Sequence, residues 1–279
     1  MMHGSDCKLI YCSKDYYRKR LKVLEKENYI RRVNRVYIKL DVKGTKLVKE
    51  FGYNYSFKCR DKSYIDRLKE ISKIAALSIN SNIEFIPSWD LKDSKIFTQN
   101  SRKYIGELKY DGIDRIAYYI SKQKKMAYTS QIKNDIKKIN NHKNIVIFME
   151  DIDIINKKNK FVFGFDSLIV INPTSLNLQI LRNYEDIDYY KIVQNIYKDK
   201  EVLLSNWKDA EYMLENKRYI VVMPFIDTEK IYRLNVFLRK NPRAEREVDL
   251  ITLKGNKEKI KEILTYKVNV LEIDYEEVL

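Results

Sequence analysis

The stretch "RKYIGELKYDGIDRIAYYI", residues 102–120, holds two β-prone runs joined by Asp111 and Gly112. Asp-Gly at such a junction is a hairpin signal, because the two-residue turn that matches strand twist needs positive φ at both positions. Downstream, "NIVIFM" (144–149), "SLIVI" (167–171), "YIVVMPF" (219–225) and "VDLITL" (248–253) are apolar with little alternation, as strands buried on both faces are. Upstream, "IEFIPSW" (83–89) reads as one more strand. Helical patterns fall near 128–140, 188–198 and 207–216, then from Asp227 to about Lys240, and a helix–strand pair closes the chain. Strands alternating with helices predict a mixed α/β fold with its sheet covered on both faces. No internal repeat or low-complexity tract is visible.

A different grammar precedes this region. Ser13 can cap a helix running to about Asn28, with Tyr17, Leu21 and Leu24 on one face. Lys19, Lys22 and Lys26 fall opposite, with Arg18 on the flank. Two short β-prone runs, "YIRRV" and "VYIKL", come next, joined through Asn34 and Arg35, and "KGTKLVKEFG" reads as a short helix ending at Gly52. Helix, ribbon, helix is the second half of a winged helix-turn-helix, in which the capped helix enters the major groove. A complete module has two earlier helices, and the residues ahead of Ser13 offer only a short one in "SDCKLIY". Either the start is late, or another part of the chain or a second subunit covers the apolar line. Residues 61–79, "DKSYIDRLKEISKIAALSI", predict a long helix with Ser63 as its cap. The expected organisation is a winged-helix-like module over 1–55, a linking helix over 56–82 and an α/β domain over 83–279.

Charge singles out the first module. The formal net charge is +15, and residues 1–60 carry sixteen basic and six acidic side chains, so they hold +10 of it. An AT-rich coding sequence enriches Lys, Ile, Asn and Tyr everywhere; it accounts for 22 tyrosines but not for that segregation. Concentrated positive charge favours phosphate backbones through counterion release. The expected contacts are Lys14, Arg18, Lys19, Lys22 and Lys26 on the helix, with Arg31, Arg32, Asn34 and Arg35 on the wing. The expected partner is double-stranded DNA, bound by a possible homodimer, since paired modules suit two-fold sites. Cys7, Cys12 and Cys59 form neither an even framework nor a CxxC pair, and His3 and His142 are the two histidines, so no metal site is expected. Sparse cysteines, no apolar run long enough for a span and no signal-peptide pattern lead to the expectation of a soluble cytoplasmic protein, without a membrane partner.

Chemistry has few footholds. Glu107 and Lys109 form an ExK spacing on one strand face, with Asp90 and Asp93 upstream and Asp111 and Asp114 beyond. A metal-dependent nuclease of the PD-(D/E)xK kind uses such carboxylates to hold Mg²⁺ and the lysine to steady the attacking group. Against it stands an outward polar stripe, a common outcome in a chain with 33% charged residues. In "FMEDIDII", Glu150, Asp151 and Asp153 end a strand where α/β sheets often bind ligands, but they equally suit the cap of the next helix. The seven glycines never cluster, so no nucleotide cofactor is expected.

The order of parts resembles the replication-relaxation family of plasmids and other mobile elements, a winged helix followed by a degenerate nuclease-like α/β domain. "SKDYYRKRLKVLEKENYIRR" and "SRKYIGELKYDGIDRIAYYI" followed by "NIVIFMED" carry the likeness, over about residues 5–155. The resemblance implies DNA binding in plasmid replication, mobilisation or transcriptional control, and carries over no catalytic residue. Three readings stay open: a non-enzymatic DNA-binding protein, a nuclease using Glu107 and Lys109 with Asp90 or Asp114, and a protein-interaction scaffold with a vestigial winged helix.

Overall fold

The computed structural model describes residues 2–3, 14–33, 37–52, 62–91, 103–123, 126–139, 144–155, 161–184, 186–241 and 247–278. Within them the chain is mixed α/β, with eight α-helices and fourteen strands in three sheets.

The first sheet is small and has the order β1-β3-β2, from Met2–His3 (β1), Ile30–Val33 (β2) and Tyr37–Leu40 (β3), all antiparallel. Helix α1, Lys14–Lys26, precedes the β2–β3 hairpin, and α2, Val42–Glu50, succeeds it. Leu21 of α1 is buried against Ile38, with Tyr17 and Ile30 alongside, so one face of the hairpin carries α1. The opposite face turns toward α3, Lys62–Asn80, where Lys69 Nζ lies 5.3 Å from the Tyr37 ring centroid and the helix packs against β1. Part of the same chain therefore covers this ribbon. The expected cap Ser13 lies outside the described residues, and Ser63 sits inside α3, which begins at Lys62.

The second sheet has the order β12-β8-β7-β6-β5-β4. Its antiparallel meander comprises Glu84–Pro87 (β4), Gly106–Tyr110 (β5) and Ile113–Ile120 (β6). Asp111 and Gly112, at φ 47° and 78°, make the tight turn between β5 and β6, which only a residue pair tolerating the left-handed region can form. Helix α4, Met126–Ile136, then leads to Asn144–Met149 (β7) and Ser167–Ile171 (β8), both parallel to β6. Helix α5, Ser175–Arg182, capped by Thr174, crosses back, and α6, Tyr189–Ile196, comes after it.

The third sheet, β14-β13-β11-β10-β9, repeats that connectivity. Val202–Leu204 (β9), Tyr212–Leu214 (β10) and Tyr219–Val222 (β11) form an antiparallel meander. Ile226–Asp227 (β12) returns to pair with β8, and α7, Thr228–Lys240, leads to Val248–Leu253 (β13), α8, Lys257–Ile263, and Asn269–Ile273 (β14). The sequence shows no repeat, yet a meander followed by helix-linked parallel strands occurs twice. Equivalent sheets need only equivalent patterns of burial, not equal residues.

Residues 207–216, expected to be helical, turn instead and enter β10. Tyr212 pairs with both Leu204 and Ile220, and the sheet pairing overrides the helix-prone run "DAEYMLENK". Two apolar cores flank the sheets. One gathers Ile116, Tyr118 and Ile120 of β6 with Ile132 and Ile136 of α4 and with Ile231, Leu234 and Leu238 of α7. The other gathers Ala117 and Tyr119 with Ile71, Ile74 and Leu77 of α3 and Leu178 and Leu181 of α5. Both cores draw on the second and third sheets alike, so these two form one covered layer. Helix α3 is thus built into this layer as well as linking it to the first module. No helix among the described residues is long and apolar enough to cross a membrane.

Candidate functional site

The basic module carries its charges on two surfaces. Lys19, Lys22 and Lys26 are exposed on α1, away from buried Leu21. Arg18 lies along its neighbour, with Nε 3.3 Å from the Tyr17 hydroxyl. Arg31 and Arg32 are exposed on β2 but, being consecutive, point to opposite sides. Arg32 shares the α1 face, where it pairs with Glu25 at 3.1 Å; Arg31 faces the other way and stands 4.0 Å from Asp41. Both are exposed pairs of small energetic weight, which leaves the arginines able to exchange partners. Asn34 and Arg35 lie outside the described residues, as does the Lys14 side chain.

The ExK residues do meet. Lys109 Nζ lies 3.5 Å from Glu107 and 3.9 Å from Asp114, its cross-strand partner. Glu107 is nearly sealed from solvent, with 4% of its side chain exposed, because it sits between Ile86 and Ile116 on adjacent strands. Asp90 does not join them. It turns away after β4, beyond Pro87, which pairs with Gly106 at the far end of β5 from Asp114. Asp111 holds the hairpin turn and reaches Arg182 at 3.5 Å. Asp93, Cys7, Cys12, Cys59 and His142 lie outside the described residues. Among the described residues no group of three or more histidines, cysteines and carboxylates is placed to hold a metal ion.

At the C-terminal ends of β6 and β7 the acidic run divides. Asp151 caps the short helix Ile152–Ile154 by accepting from Asp153 N, and Asp153 pairs with Lys259 at 3.3 Å. Glu150 instead accepts from Tyr119 Oη at 2.6 Å, Lys73 Nζ at 2.8 Å and Lys122 N at 3.0 Å. Burial alone would raise its carboxyl, but these donors outweigh it and hold the pKa at about 2. Lys73 and Tyr119 come from elements far away in the chain, so no spacing in the sequence announces them. The native state is favoured by this carboxylate above about pH 4.5, and the contribution fades as pH falls toward 2. Glu150→Gln is expected to cost about 1 kcal/mol at neutral pH and to flatten the acid limb of a stability-versus-pH curve. Equal acid limbs in the two proteins would refute the assignment.

No protein-family model, curated protein or solved structure matches the chain. Its chemistry has to be read from its own residues.

The run Asp227–Lys230 is buried in its entirety. Asp227 caps α7 and accepts from Leu168 N, while Glu229 accepts from Phe163 N at 2.6 Å and Gly164 N at 3.1 Å. Burial pushes the Glu229 carboxyl above the usual range. Lys230 bonds to Glu211 and to Val222 O. These bonds stitch α7 to the loop before β8 and to β11. Glu229→Ala is expected to cost about 2 kcal/mol by orphaning the two amides, measured as a shift in the urea midpoint; a shift below a quarter of that would contradict the role.

Proposed function

We propose that the protein binds double-stranded DNA through the α1–β2–β3 module, with α1 in the major groove and the hairpin as a wing. The observation that supports it is the joining of two features in one small unit. A three-stranded sheet ordered β1-β3-β2 carries a helix against one face, and that helix presents Lys19, Lys22 and Lys26 outward. The segregation of +10 net charge into residues 1–60 adds weight to it. Action as a homodimer extends this reading because paired modules suit two-fold sites, and action in the replication, mobilisation or transcriptional control of a mobile element extends it through the resemblance.

The test is fluorescence anisotropy of the full chain on duplex DNA across a salt series with magnesium present. Lys19→Ala with Lys22→Ala is expected to weaken binding about tenfold and to reduce the log–log salt slope by roughly 1.8, near 0.9 per lost phosphate contact. Arg32→Ala is expected to weaken binding more than Arg31→Ala, because the two point to opposite sides of the hairpin. No binding at low salt would sink the reading and favour the scaffold. A second reading, a nuclease, is favoured by the meeting of Glu107, Lys109 and Asp114; it requires magnesium-dependent cutting that Glu107→Ala abolishes.

A further inference from the structure

Tyr16 and Val23 lie two turns apart on α1, about 20° from each other around the helix axis. Arg20 falls between them, so Tyr16, Arg20 and Val23 form one strip along the helix. Lys19, Lys22 and Lys26 form a second strip beside the first. All six side chains are exposed. Tyr16 keeps 55% of its surface in solvent and Val23 41%, on the side away from Leu21, through which the helix packs on the hairpin.

Neither apolar residue serves the helix or its packing. Aromatic and β-branched side chains are weaker helix formers than the lysines and arginines around them, and neither joins the core cluster of the module. A single exposed apolar side chain is ordinary. Two on one strip, bordered along its length by a row of cations, match a surface that is anionic at its margins and carries apolar groups within. The major groove of DNA is such a surface. Its phosphate walls take the lysines, and the apolar group on its base edges is the thymine 5-methyl. Elsewhere those edges present donors and acceptors, which Val23 would strip of water without replacing it.

We infer that the Tyr16–Val23 strip reads thymine through its 5-methyl group, so that α1 selects duplexes carrying thymine against Val23. The inference rests on the proposed binding of double-stranded DNA by α1 and adds what that helix recognises. Glu27, one turn beyond Val23, repels phosphate, so the strip ends at Val23.

The test uses the full-length protein to select duplexes from a random-sequence pool, and the selected duplexes are then remade with deoxyuridine for thymidine. That exchange removes the 5-methyl and keeps the hydrogen-bonding edge. By fluorescence anisotropy, wild type is expected to bind the uracil duplex about fourfold more weakly for each methyl contacted, the worth of burying one such group. Val23→Ala is expected to bind both duplexes equally with the salt slope of wild type, since it removes no charge. Lys22→Ala should do the reverse, lowering the salt slope and keeping the thymine preference. Val23 is exposed and outside the core cluster, so its substitution spares the fold. Selected duplexes that lose nothing with uracil, or a thymine preference that survives in Val23→Ala, overturn the inference and leave DNA binding standing. Salt-dependent binding that enriches no sequence overturns it in the same way. Binding to no duplex at low salt overturns the proposed function and this inference with it.

Discussion

Asp249→Ala is expected to unfold at a much lower urea concentration than wild type, with a loss of about 3 kcal/mol and an unchanged denaturant slope. Asp249 lies on β13 with 2% of its side chain exposed. Its carboxylate accepts from Tyr197 Oη, from Arg218 Nη1 at 2.9 Å and from Asn269 Nδ2 at 3.1 Å, so one group ties α6, β11 and β14 to β13. Burial and the adjacent carboxylate both push the Tyr197 phenol upward, so it stays a donor across the working pH range. Truncation would leave a phenol, an amide and a guanidinium without their common acceptor. Arg218, one-third exposed, and Asn269, exposed at the start of β14, can turn to water, so the half-buried Tyr197 phenol bears the loss. Tyr197→Phe removes one donor and is expected to cost about 1 kcal/mol. A loss below that figure for Asp249→Ala would show that water replaces the carboxylate.

Gly44→Ala is expected to melt the basic module and spare the layer beneath it. A Cβ on Gly44 would stand 2.0 Å from Tyr29 O and 3.1 Å from Leu40 Cδ2. The carbonyl cannot step aside cheaply, because it accepts from Asp41 N at 2.9 Å and so closes the base of the hairpin. Relief requires α2 to move off the ribbon, at a cost of about 3 kcal/mol. Amide hydrogen exchange locates the damage: protection in β2 and β3 should collapse, while β6 and β7 stay protected. DNA affinity should fall with it under the proposed function. Undisturbed protection in β2 and β3 would mean that α2 is not held as closely as described.

Features legible in the sequence and features hidden from it divide along one physical line. Strands β7, β8 and β13 coincide with "NIVIFM", "SLIVI" and "VDLITL", because strands covered on both faces leave unbroken apolar runs. The β5–β6 hairpin is announced by Asp111 and Gly112, whose backbone demands are local. Strand β10 is hidden, since its three residues take their conformation from β9 and β11 rather than from their own preferences. Helix α5 also escapes the pattern: "SLNLQILR" is short, and its Thr174 cap is the main local mark. The lysines of α1 are legible as composition. Lys73 with Glu150 is not, because that pair is assembled by elements that meet only in the folded chain.

The return of β12 to β8 bears on how the protein is made. The amide of Leu168 waits for the Asp227 carboxylate, and one face of the second sheet waits for Ile231, Leu234 and Leu238. A nascent chain that has emerged only as far as β8 therefore displays an uncovered apolar surface until some seventy further residues are made. Over that interval it is a client for chaperones and a target for proteases. Ribosome-bound chains halted just before and just after α7 should differ sharply in protease resistance across β6 and β7.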